Sequence, residues 1–132
     1  MKVTSLCLAA VATAFLVGQA SAHHSFAMFD ATKMLTLKGT VKELEWTNPH
    51  SWLYVMVDEG GQTIEYSLEM QSIGQSVRNG WKPDIVKPGD AVSVEMHPLR
   101  TGAHGGQLMT VVLPSVQKIG VTGRAPSAVT GQ

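Results

Sequence analysis

Apolar and polar side chains alternate along most of the chain between residues 34 and 114. A period of two puts successive side chains on opposite faces of an extended strand, so each alternating run predicts a strand with one face toward a core. Residues 34–46 (MLTLKGTVKELEW) keep Leu35, Leu37 and Val41 in one parity, then shift to Leu44 and Trp46. A bulge or bend near Gly39 or Glu43 accounts for the shift. Residues 51–58 (SWLYVMVD) set Leu53, Val55 and Val57 on one face and Trp52, Tyr54 and Met56 on the other. Residues 63–70 (TIEYSLEM) turn Ile64, Tyr66, Leu68 and Met70 inward, with Glu65 and Glu69 outward as a solvated face. Further strands are expected at 91–99, where Val92, Val94 and Met96 alternate, and at 108–114.

Between these runs lie turn signals and one change of period. Pro49 lacks an N–H for a strand ladder, so TNPH (47–50) is a turn. The glycines of EGGQ (59–62) suit a tight hairpin, and KPGD (87–90) is a turn into the fourth strand. RTGAHGGQ (100–107) reads as a glycine-rich loop. Residues 71–81 place Ile73 and Val77 four apart, with Gly80 as a stop signal, which predicts a short helix. Three strands, a short helix and two more strands is the element order of the OB-fold, a small Greek-key β-barrel. The fold class expected is therefore all-β, an OB-fold-like barrel of five strands with one helix between the third and fourth. A β-sandwich of similar size is the competing arrangement.

The first 22 residues do not belong to this pattern. Lys2 precedes an apolar run over residues 6–18, and Ala20-Ser21-Ala22 has the small-residue form of a signal-peptidase site. The apolar run is shorter than the roughly 20 residues that span a bilayer. The expected organisation is a signal peptide over 1–22, a barrel domain over 23–120 and a flexible tail over 121–132. The mature protein is then a soluble, periplasmic or secreted domain with no membrane span. Cleavage removes Cys7, the chain's one cysteine, so neither disulfides nor thiolate ligands are expected. It also removes Lys2, leaving nine Lys and Arg of the original ten against ten Asp and Glu. A near-neutral domain without a basic run lacks the charge that binding to phosphate backbones requires, so no nucleic-acid partner is expected.

The segments AHHSF, GTVKELEWTNPHSWLYVMV, EYSLEM, RNGW and KPGDAVSVEMHP together resemble the DUF6152 family of small exported bacterial proteins. The resemblance runs from about His23 to Leu113. Its most specific piece is Trp46-x-Asn48-Pro49-His50, supported by Gly80-Trp81 and Pro88-Gly89-Asp90. The chain departs from the family pattern at Met96-His97-Pro98 and at VQKIG (116–120). The resemblance implies a fold and an exported location, and it brings no established activity.

Three sets of residues carry candidate chemistry. If cleavage follows Ala22, the free α-amine and imidazole of His23 chelate one ion, and His24 adds a second imidazole. Nitrogen ligands of this kind favour Cu(II), and an α-amine titrating near ~7.7–8.0 yields its proton to metal at neutral pH. Cleavage after Ala20 instead places His23 third, which also makes a copper-binding terminus. His50, in the turn before the second strand, is the second candidate, as a third copper ligand or as a cap for its own turn. The third is an aromatic ligand or partner face of Trp46, Asn48, Trp52 and Tyr54, on the strands that OB-folds use for binding. Its alternative is that FAMF (26–29) or the loop carrying Trp81 covers these rings. His97 and His104 are expected to be solvated loop residues, and the methionines to be core fillers. No nucleophile elbow, zinc-protease motif, P-loop or dinucleotide fingerprint occurs, so no enzymatic activity is expected. The reading that follows is a periplasmic binding module. It binds copper through His23, His24 and His50, or is a metal-free barrel that takes a small ligand or protein partner on its aromatic face.

Overall fold

The computed structural model describes residues 26–115 and 118–121. Among the described residues are six strands: β1 (Leu35–Glu45), β2 (Trp52–Glu59), β3 (Gln62–Glu69), β4 (Ala91–Pro98), β5 (Gly105–Val112) and β6 (Lys118–Gly120). One helix, α1 (Ile73–Arg78), lies between β3 and β4. The sheet runs β3-β2-β1-β4-β5-β6 with antiparallel neighbours, and a parallel pairing of β3 with β5 closes the first five strands into a barrel. This is the OB connectivity that the element order predicts, with β6 added along β5.

One long strand serves two neighbours. Residues 35–40 of β1 pair with β4, and residues 40–45 pair with β2. The change of partner coincides with the change of parity, and a bulge falls between Val41 and Glu43. Gly39 sits at the bend because a Cβ there would lie 2.3 Å from the Met56 carbonyl oxygen. The β2–β3 hairpin turns on Gly60 and Gly61, whose φ values of 65° and 88° suit the two-residue turn that matches strand twist.

The alternating residues fill the barrel. Leu53, Val55, Leu68, Val94, Met96, Leu108 and Val111 are all but fully buried in one cluster with Trp81. Met70 and Met96 lie in this core, as expected of gap-filling thioethers, whereas Met28 and Met34 are exposed and do not. Helix α1 forms where predicted, capped by the Ser72 hydroxyl, which accepts from the Gln75 N–H. Its buried face is not the expected one: Val77 is 55% exposed and Ser76 is buried. The reason is Trp81, whose N–H donates to the Ser76 carbonyl at 3.0 Å as the chain turns inward through Gly80. A small residue at 76 lets that backbone come close, and Trp81 contributes the burial that Val77 does not.

Two strand assignments differ from the sequence reading. The glycine-rich loop ends early, because Gly105 and Gly106 belong to β5 and not to a loop. They lie where β5 meets both β3 and β4. A Cβ on Gly105 would be 2.8 Å from the Ser67 carbonyl oxygen, and one on Gly106 would be 2.3 Å from that of His97. The glycines thus mark a close approach of three backbones. At the other end Lys118–Gly120 forms β6, and Val121 is buried beside Ile119. Trp81 Nε1 donates to the Gly120 carbonyl, and Asn79 Nδ2 to that of Val121. β6 thus lies within the expected 23–120 domain, as a strand that the alternation did not predict, and the tail beyond Val121 lies outside the described residues.

Gly106→Ala is expected to lower unfolding free energy by at least about 1–3 kcal/mol, the usual cost of overpacking, because backbone cannot yield as a side chain does. Urea titration followed by tryptophan fluorescence measures this, and an unchanged midpoint would show that the barrel closes without the close approach.

Candidate functional site

The loop between β1 and β2 is held by its own polar residues. The Ser51 hydroxyl, fully buried, donates to the Thr47 carbonyl at 3.0 Å and accepts from the Thr47 N–H at 3.3 Å. Ser51 also exchanges backbone hydrogen bonds with the end of β3: its N–H donates to the Gln71 carbonyl and its carbonyl accepts from Met70. Asn48 Oδ1 accepts from the Ile73 N–H at 3.0 Å, satisfying one of the orphan donors at the start of α1. The Asn48–Pro49 peptide is cis. Thus the Trp-x-Asn-Pro-His-Ser segment clamps this loop onto the β3–α1 connection.

The clamp aims His50. Its Nδ1 lies 3.0 Å from the Met70 carbonyl oxygen and 3.1 Å from Glu69 Oε1. Glu69 was expected on a solvated face, and the structure corrects this: the residue is only 7% exposed. It does point out of the barrel, in the parity opposite to Leu68, but that part of the outer face is covered. The cover is the segment 26–30. Asp30 donates its N–H to the Pro98 carbonyl at 2.8 Å, and Arg100 donates its N–H to Met28 and its Nε–H to the Ala27 carbonyl. Phe29 bridges to Leu99 and is buried.

Beneath this strap lies a cavity of about 340 Å³. Met28, Phe29, Trp52 and Leu99 form its apolar walls, and Gly106 gives a stretch of bare backbone. Ser67 and Glu69 are its polar side chains. Trp52 and Glu69 are directly paired across β2 and β3, so the indole and the carboxylate stand side by side.

The residues singled out from sequence fall in different places. Trp52 lines the cavity, and His50 reaches it through Glu69. Tyr54 shares a strand face with Trp52 yet is not part of the lining; its hydroxyl donates to Glu45 Oε2 at 3.0 Å. Burial, then this bond to Glu45, raises the Tyr54 pKa. Trp46 packs half-buried against the core, and Asn48 is engaged with Ile73. The aromatic set is thus divided, with one ring at the cavity. Met28 and Phe29 of the FAMF segment line the same cavity as Trp52, while Trp81 belongs to the core. His97 lies in β4 with Nδ1 against the Lys33 carbonyl, and His104 sets its ring edge-on to Tyr66 at 5.2 Å between centroids. His23 and His24 lie outside the described residues. Among the described residues no group of three or more His, Cys, Asp or Glu is placed to hold a metal ion. None of the described helices is long and apolar enough to cross a membrane.

The match to the DUF6152 model, a family of unknown function, covers residues 10–108. The chain belongs to the DUF6152 family. The matched span reaches into β5 and includes the strap, the clamp and the cavity walls. A search of the curated proteins finds no match. In this DUF6152 protein the Trp-x-Asn-Pro-His motif therefore has a definite structural role, which is to seat the loop and direct His50 at Glu69. Glu69 itself was missed in sequence because period-two alternation marks the outer face without showing what covers it. The signal that would have found it is its position in register with Trp52.

Asp30 anchors the strap's exit. Its Oδ1 accepts from the Thr32 hydroxyl at 2.6 Å and its Oδ2 lies 3.3 Å from Lys33 Nζ, and these contacts, the Thr32 bond first, bring its pKa down to about 2. Because the folded value lies below the ordinary aspartate value of 3.8, the unfolded chain binds more protons in between. The stabilisation is therefore complete above that ordinary value and is lost as pH falls toward about 2. Asp30→Asn is expected to flatten the acid side of the melting-temperature profile across this window, while the parent loses stability there. Equal acid slopes for the two proteins would contradict the assignment.

Proposed function

We propose that the protein is an exported binding module that holds a small ligand between the 26–30 strap and the outer face of β2 and β3. The observation that carries the reading is the cavity, which has apolar walls and a few polar groups, the usual make-up of a ligand site. It lies on the face through which OB-type barrels bind their ligands. Its volume is near the lower end of the range for such sites, which suits a small molecule better than a polymer. Export rests on the leader at residues 1–22, and the near-zero net charge argues against nucleic acid. Binding is favoured over catalysis because the one hydroxyl beside His50 in sequence, that of Ser51, is committed to Thr47.

A fragment screen read by thermal shift tests this. Small apolar fragments are expected to raise the melting temperature of the parent. Ser67→Leu, which fills the cavity from its polar wall, is expected to abolish those shifts, and Tyr54→Phe to keep them. No stabilising fragment, or shifts that survive Ser67→Leu, would refute the reading.

Copper binding by the mature terminus is the second reading, and one observation favours it. His50 is held at Nδ1 by a backbone carbonyl and a carboxylate, the arrangement that orients metal-ligating imidazoles with Nε2 as the coordinating atom. The strap also brings the chain toward it. Met28 lines the same cavity as Glu69, and the four residues back to His24 span at most about 14 Å. Sequencing the mature N-terminus is expected to give His23. Calorimetry and spin resonance on that protein are expected to show one Cu(II) per chain, lost in the His23→Ala, His24→Ala double variant and weakened in His50→Ala. Copper affinity that survives the double variant would exclude this site.

A further inference from the structure

We infer that the cavity takes an uncharged aromatic ligand with one polar substituent: the ring lies against Trp52, Phe29 and Met28, and the substituent bonds to the Ser67 hydroxyl. This deepens the binding reading and rests on it. What decides it is which polar groups the lining still offers. Glu69 is committed within the protein, to His50 Nδ1 through Oε1 and to a further contact. Ser67 differs. Its N–H donates to the His104 carbonyl, but its hydroxyl has no partner among the described residues. No fully buried polar side-chain atom among those residues lacks a hydrogen bond, so the unpartnered hydroxyl opens onto the cavity that Ser67 lines. A serine hydroxyl is one donor and two acceptors, enough for one polar substituent of either kind.

The walls select the rest of the ligand. An ion entering the cavity would leave water for apolar surface, and burying a charge without a partner of its own is costly whatever its sign. With Glu69 engaged, no lining side chain supplies that partner. The two cations near the strap are turned elsewhere: Lys33 Nζ lies 3.3 Å from Asp30, and Arg100 gives its Nε–H to Ala27. Trp52, Phe29 and Met28 favour an aromatic ring over a saturated one. Ring quadrupoles attract one another edge-on or offset, and a thioether sulfur makes favourable contacts with ring edges. Gly106 adds bare backbone, with no side chain to hold a flat ring away from it.

The experiment is calorimetry on the protein with four probes: 2-phenylethanol, 2-cyclohexylethanol, phenethylammonium and 3-phenylpropanoate. The aromatic alcohol is expected to bind at least about threefold more tightly than its saturated analogue. Hydrophobicity alone would reverse that order, since the saturated ring is the less soluble in water. Both ions are expected to bind at least about tenfold more weakly than the aromatic alcohol. Ser67→Ala is expected to weaken 2-phenylethanol about fivefold, the loss of one hydrogen bond, and Trp52→Leu to abolish the preference for the aromatic ring. The order among the probes is read in the parent protein, so it decides the matter even if a variant does not fold. Equal or tighter binding of the saturated alcohol or of either ion would overturn the inference and leave the binding reading standing. An unchanged affinity for 2-phenylethanol in folded Ser67→Ala would overturn it as well. Absence of binding by all four would overturn it too, and the fragment screen then judges the binding reading separately.

Discussion

The approach of β5 to β3 is the contact on which everything else depends. Antiparallel hairpins can join β1, β2 and β3 by short turns, but closure needs a parallel pairing between strands distant in sequence. That pairing sets Ser67, Leu68 and Glu69 opposite Gly105, Gly106 and Gln107. Three backbones crowd there, and the absence of side chains at 105 and 106 is what lets them meet. The same closure brings Leu99, just before the β4–β5 loop, to the outer face of β3, where the strap can lie on it. The barrel and the cavity thus have one origin.

The polar clamp at residues 46–51 is the second fixed point. A loop of this length has many conformations, and burying its polar groups without partners would cost a few kcal/mol each. Ser51 and Asn48 remove that cost by bonding to backbone at Thr47 and Ile73. His50 is thereby held against β3 and meets a carboxylate that the strap has covered. The most specific motif of the sequence is therefore mainly a device for positioning, with one side chain, that of His50, directed at the site.

Much of the barrel was legible. Alternation located five strands, the parity shift in β1 located its bulge, and two glycines at positive φ made the predicted hairpin. The misreadings share a cause. Gly105 and Gly106 looked like loop residues because glycine is common in loops, yet here they serve a close backbone contact. Val77 looked like the buried face of α1, and Trp81, beyond the helix, took that place. Glu69 looked like half of a solvated pair with Glu65, and only one of the two lies beneath a strap.

What the sequence determined by itself is whatever depends on neighbours a few residues apart: strand periodicity, turns and the helix stop. These follow from local sterics and from which side chains share a face. What only the tertiary structure decided is which outer face is covered, which of four candidate ligand residues reaches the cavity, and that a glutamate lies there. Those facts depend on segments some 40 to 70 residues apart, such as Met28 with Glu69 and Leu99, meeting in space. A periodic pattern reports that a strand has two faces; packing alone reports what lies against each of them.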